Sequence, residues 1–186
     1  MANSTANVNI GKPKIGGAIY RAPIGTTLPT SATVALDEKF VCLGYASDDG
    51  FTNSNSPTSN NIKAWGGDIV YTYNSDQTDT FGFTLLESTN PDVLKTVYGD
   101  DNVSGTLATG LVVKANTTEK SASSWVFELV LQGGGAKRIV VPKAFVTEIG
   151  EIGYSDESAV GYQITITAMV DDAGNTHYEY MTTATV

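Results

Sequence analysis

The sequence predicts a mainly β protein, an antiparallel β-sandwich or barrel that carries one short α-helix. Three observations predict it. Apolar residues recur at every second position through many short runs, the spacing that places them on one face of a strand. Thr, Val, Ile, Tyr and Phe dominate those runs, and such side chains suit a pleated, half-buried surface. Clusters of Gly, Asp, Asn and Pro separate the runs, and a single segment carries helical punctuation.

The elements follow in chain order. Residues 1–21 read as an extended N-terminal arm, polar and glycine-rich, with strand-like character from 15 to 21. A strand is expected over 40–46, where Phe40-Val41-Cys42-Leu43 is continuously apolar. The next stretch, about 47–61, runs Ser-Asp-Asp-Gly-Phe-Thr-Asn-Ser-Asn-Ser-Pro-Thr-Ser-Asn-Asn, too polar to pack a core, and reads as a long loop. Strands are expected over 68–74 and 79–87. The helix covers about 90–98: Asn90 is a competent N-cap, Pro91 suits the first helical position, Asp92 favours the positive dipole end and Gly99 suits the C-terminal turn. Val93, Leu94, Val97 and Tyr98 form its apolar stripe.

Further strands are expected over 107–115, 125–131, 137–149, 162–170 and 176–184. In 162–170, Tyr162, Ile164, Ile166, Ala168 and Val170 share one face, so that strand is buried on one side. In 125–131, Trp125, Phe127, Leu129 and Leu131 share one face, and Val126 and Val130 flank Glu128 on the other. A strand apolar on both faces needs a cover on its outer side, and another subunit is one candidate. Gly133-Gly134-Gly135 reads as the turn from 125–131 into 137–149, and Asp172-Ala173-Gly174-Asn175 as a hairpin loop between the last two strands.

The 186 residues fit a single domain, and no apolar run approaches the roughly 18 residues that a membrane-spanning helix needs. The amino terminus lacks the apolar stretch of a secretory signal, so folding and assembly are expected in the cytoplasm that makes the chain. A net charge of −9 argues against nucleic acid as a tightly bound partner, because phosphate binding relies on Lys and Arg displacing counterions. Charge is also uneven. Lys12, Lys14 and Arg21 precede the first acid, Asp37, so a basic arm leads into an acidic body.

Catalytic and metal constellations are sparse. The only histidine, His177, has no Gly-x-Ser-x-Gly elbow to serve and reads as a half-exposed strand residue. One Cys and one His cannot build a zinc site, and Cys42 reads as packing. The pairs Asp48-Asp49, Asp100-Asp101, Asp156-Glu157 and Asp171-Asp172 lie beside turn residues without the spacing of a calcium loop. The glycine run leads into a strand, whereas a phosphate cradle needs a following helix. The reading is of a protein with no cofactor, no metal and no catalytic residues.

Four segments in series carry a family resemblance: Gly16-Gly17-Ala18-Ile19-Tyr20-Arg21 running on to Thr30, Leu43-Gly44-Tyr45-Ala46 running on to Phe51, Lys63-Ala64-Trp65-Gly66-Gly67-Asp68, and Glu87 to Gly99. In order and spacing the chain resembles the tail-tube (major tail) proteins of siphophages. That resemblance implies a structural virion protein. Its β-sandwich would associate into rings, usually of six copies, which stack into the tube that carries the genome. It further implies a tape-measure protein, a tail-tip complex and tail terminator proteins as partners, with DNA passing through the lumen without specific binding. Terminal arms and a long loop commonly bridge rings in the family, which here points to Lys12, Lys14 and Arg21 on the arm and to Asp48, Asp49 and Phe51 on the loop. Some members append a C-terminal immunoglobulin-like domain; this sequence ends soon after the 176 strand, so none is expected.

Two other classes stay open at this point. One is the tube of a contractile tail or secretion apparatus, which shares the ring architecture. The other is a carbohydrate-binding β-sandwich that displays Trp65, Trp125 and tyrosines to a glycan.

Overall fold

The computed structural model describes residues 3–183. Eleven strands and one α-helix follow in chain order: β1 Lys12–Pro13, β2 Ile19–Pro23, β3 Val41–Cys42, β4 Ala46–Lys63, β5 Ile69–Leu85, α1 Pro91–Tyr98, β6 Val103–Thr106, β7 Gly110–Val113, β8 Ser123–Val130, β9 Ala136–Ile149, β10 Tyr162–Ala168 and β11 Tyr178–Thr182. Nine strands form one antiparallel sheet in the order β3-β2-β8-β9-β10-β5-β4, with β1 on β8 and β11 on β9. β6 and β7 pair separately. The two ends of the order, β3 and β4, do not meet, so the sheet is open and of sandwich type, and the barrel alternative falls away.

The main core lies between the sheet and α1. Ile19, Phe81, Phe83, Leu85, Trp125, Phe127, Ile139, Val141, Ile164 and Ile166 supply the sheet face, and Val93, Leu94 and Val97 the helix face. Phe127 is its hub, with ring centroids 5.2 Å from Phe81 and 5.7 Å from Phe83. The helix begins and ends as the sequence predicts. Asn90 Oδ1 accepts from the Asp92 N–H at 3.0 Å, and Gly99 closes the last turn at φ 102°, a conformation that favours glycine.

β8 is buried on both faces, as its pattern requires, but the cover comes from its own chain. Residues 24–40 cross the outer face, where Leu28, Leu36 and Phe40 pack with Ala22, Val126, Val140, Tyr178 and Tyr180. Arg138 holds that cover down by donating to Ser31 O at 2.7 Å and Val34 O at 2.8 Å. No neighbouring subunit is needed there.

Three other expectations change. The segment 47–61 is not a loop. It is the outgoing strand of a long ribbon, because residues from Phe51 to Lys63 pair with Ile69 to Phe83, the register shifting once between Thr58 and Ser59 and again between Ile62 and Lys63. The expected strands 68–74 and 79–87 are correspondingly one strand. Second, Asp172–Asn175 makes a turn but not a hairpin. β10 pairs with Ala144–Ile149 and β11 with Ala136–Val140, so the two run in line along the same edge of β9. Pro142, which has no N–H to donate, sits where that edge changes partner. Third, the arm boundary falls earlier than residue 21. β2 lies inside the sheet between β3 and β8, and Ile19 and Ala22 are each 1% exposed.

Several phenols are tied into the fold. Tyr98 and Tyr162 meet edge to face at 6.3 Å, and burial pushes both above the usual 10.0. Tyr178 is raised by donating its hydroxyl to Asp171 Oδ2 at 2.6 Å. A phenol whose folded pKa is raised contributes stability that is complete below its unfolded value and is lost as pH climbs through the folded value. The urea midpoint should therefore hold steady up to about pH 10 and fall beyond it, with part of the tyrosine absorbance change at 295 nm delayed to the unfolding step. Simple ionisation at pH 10 with no loss of the midpoint would contradict this.

Candidate assembly surfaces

The ribbon of β4 and β5 dominates the exterior. At about 3.3 Å per residue, the eighteen residues of β4 span about 60 Å. Burial resumes only at Asp79 on the return strand, so most of the ribbon stands clear of the body. Its outgoing strand is rich in Asn and Ser, which have low strand propensity, and pairs through polar rungs instead. Gln77 donates to Asn55 at 2.6 Å, Ser59 to Asn74 at 2.8 Å, Asn60 to Ser75 at 2.7 Å and Thr72 to Asn61 at 2.7 Å. Pro57 is tolerated because β4 is an edge strand.

The far end differs in chemistry. A turn closed by Ala64 N–H to Asp68 O at 2.8 Å carries Gly66 and Gly67 at φ 116° and 101°. Around it Ile62, Trp65, Ile69, Val70 and Tyr71 are all more than half exposed, and Trp65 is entirely so. Contiguous exposed apolar surface of this kind marks an interaction site.

At the root, Asp79 is 1% exposed and accepts from Asn53 Nδ2 at 2.7 Å, while His177 Nδ1 lies 2.6 Å from its other oxygen. The imidazole also stands edge-on to Phe81 at 5.4 Å. His177 is thus a structural partner, bound just before β11 to the place where β5 leaves the body. Asp79→Ala orphans both partners and should cost about 1–3 kcal/mol in denaturant unfolding. A loss within experimental error would show the node to be dispensable.

The six residues singled out from sequence fall into two groups. Lys14, Asp48, Asp49 and Phe51 converge on one groove of about 950 Å³ between residues 11–19 and the root of the ribbon. Lys14 Nζ bonds Glu128 Oε2 at 2.5 Å, Ser47 Oγ donates to Asp48 at 3.2 Å, and Phe51 stacks on Phe127 at 4.7 Å. Lys12 is exposed on β1. Arg21 is occupied within the chain, reaching Asp100 at 2.7 and 3.0 Å and Ser123 Oγ at 2.9 Å. The apolar tip escaped sequence reasoning, although Trp65 beside Gly66-Gly67 and next to the run Ile69-Val70-Tyr71 was the available signal. Of the aromatics considered for a glycan, Trp125 is fully buried and unavailable.

No helix among the described residues is long and apolar enough to cross a membrane. No curated protein matches the chain in sequence. Among solved structures, the tube-terminating cap of the anti-feeding prophage aligns over 98% of this chain and 100% of its own, at 10% identity and a TM-score of 0.43, a likeness too distant to bear on function. A family model described as phage tail tube protein matches residues 2–186. The chain belongs to the phage tail tube protein family, and is by that membership a structural component of a virion tail.

Proposed function

We propose that this subunit associates into rings, six copies in each as the siphophage resemblance implies, and that the rings stack into the tube through which the genome leaves. The observation that carries this reading is the ribbon: a subunit that ends a long polar strand pair in exposed Trp and Ile is built to bury that end elsewhere. Head-to-tail contacts between unlike surfaces give open filaments when they do not close. The ribbon and the groove at its root are two such unlike surfaces on one chain, and Lys12 on the arm adds exposed positive charge. The acidic composition suits a conduit, since a basic wall would hold a polyanion through many phosphate contacts. In this reading the protein has no catalytic role, assembles in the host cytoplasm, starts on a tail-tip complex, is measured by a tape-measure protein and is capped by a terminator.

The test is negative-stain electron microscopy of the purified chain over a concentration series, with and without preformed tail tips. Hollow tubes or stacked rings are expected. A chain that stays monomeric under every condition overturns the reading.

A further inference from the structure

We infer that the groove at the root of the ribbon receives an extended segment of a different protein, one in which apolar residues alternate with lysine or arginine. This goes beyond the tube reading and does not rest on it. Backbone on both walls of the groove is free to pair. On one side β4 is the edge of the sheet, and its residues Ser47–Gly50 fall in a break of register, with Ala46 opposite Leu85 and Phe51 already opposite Phe83. On the other side Ile15 and Gly16 lie between β1 and β2, and among the described residues they make no backbone bond. Gly16 stands at φ 93° with nothing within 4 Å of the place a Cβ would occupy, which lets a second backbone come close. Two unpaired edges on one cleft suit an added strand, whose main chain supplies affinity and whose alternate side chains supply selection.

Side chains define the segment. Ile15, Tyr45, Phe51 and Leu129 give the groove apolar walls, and at about 950 Å³ it has the capacity of sites that enclose a drug-sized ligand, about 300–1,000 Å³. Asp48, Asp49 and Glu87 add three carboxylates, and among the described residues none of them takes part in an ion pair. The one cation of the lining, Lys14, is held by Glu128. Glu87 is fixed in place: one oxygen accepts from the Tyr45 N–H at 3.1 Å and the other from Asn90 Nδ2 at 2.8 Å. A partner's Lys or Arg complements that unanswered negative charge. Successive side chains of a strand point to opposite sides, so a segment that meets apolar walls and carboxylates together alternates the two types.

This chain does not supply such a segment. Cations two residues apart occur once in it, at Lys12 and Lys14, and that stretch is already a wall of the groove, with Lys12 and Pro13 paired to Val130 and Leu129. Residues 3–11 carry no charge, and the ribbon, residues 46–85, has Lys63 as its only cation. The occupant is therefore another protein and not a second copy.

The test uses the full chain below its assembling concentration and a capped fluorescent peptide of about eight residues that alternates lysine and valine. Saturable binding is expected, with the amides of Ile15, Gly16 and Ser47–Gly50 gaining protection from hydrogen exchange. An analogue with glutamate in place of lysine, and one with alternate backbone N-methyl groups, should bind at least about tenfold more weakly. The parent peptide should lose as much on Asp48→Asn with Asp49→Asn. On Asp156→Asn with Glu157→Gln, the same change of net charge at exposed residues elsewhere, it should bind as it does to the unaltered chain. Absence of saturable binding overturns the inference, as does protection confined to other edges. Equal losses in the two double variants overturn it too, by marking a general attraction to an acidic protein. Groove amides that become protected as subunit concentration rises, with no peptide added, put a second copy in the groove and overturn it likewise. None of these outcomes bears on tube formation, which microscopy decides separately.

Discussion

Arg138→Ala is expected to destabilise the subunit by about 3–5 kcal/mol, the cost of leaving a buried charge without its partner. Arg138 and Glu128 stand opposite each other on β9 and β8, with side chains 2% and 4% exposed. The guanidinium bonds Glu128 through Nε at 2.9 Å and through a second nitrogen, and its remaining arm carries the two carbonyls of the covering segment. Glu128 in turn holds Lys14. One side chain therefore links the sheet, the cover over its outer face and the arm. Its removal leaves a carboxylate answered only by a half-exposed lysine and frees residues 24–40. For a domain of this size the melting temperature should fall by about 10 °C, at about 2–4 °C per kcal/mol. Glu128→Met with Arg138→Met should be closer to the parent than Arg138→Ala alone, because a matched apolar pair avoids the unpaired buried charge. A single-variant loss below about 1 kcal/mol would show that the network is not needed for the fold.

Shortening the ribbon should have the opposite signature, abolishing assembly while sparing the subunit. Replacing residues 57–77 by Asn-Gly keeps the Ser56–Thr78 pair and closes it with a two-residue turn. Every residue removed is exposed, and none belongs to either core. Unfolding free energy should change by no more than about 0.5 kcal/mol, the usual range for surface changes. Microscopy of the same preparation should find no tubes where the full chain forms them. Tubes of normal appearance from the shortened chain would remove the ribbon from the assembly interface.

What the sequence disclosed depended on whether local chemistry decided the structure. α1 was legible to the residue because its cap, proline and terminal glycine are local signals that no tertiary contact overrode. β8, β9 and β10 were legible from alternation, since one or both faces meet a core. β4 was not. Its Asn and Ser residues carry no strand preference, and its pairing is dictated by β5 across the ribbon rather than by its own composition. The cover over β8 was equally hidden, because residues 24–40 form no regular element and reveal their role only through Arg138 and the second core. Of the candidate site, the charged and aromatic residues around the groove were found and the tip was not. Charge beside an unusual polar stretch is visible in one dimension, whereas an apolar residue betrays its function only once it is known to be uncovered.

The clasp of Asp79, Asn53 and His177 sits at the fulcrum of a lever. With about 40 Å of strand beyond it, a tilt of about 5° at the root displaces the far end by about 3–4 Å, about the rise of one residue along a strand. A carboxylate buried and gripped from both sides resists such a tilt, and it ties the angle of the lever to the last strand of the chain. Straightness of a long, many-tiered cylinder would then depend on angular fidelity at one small joint, repeated in every copy.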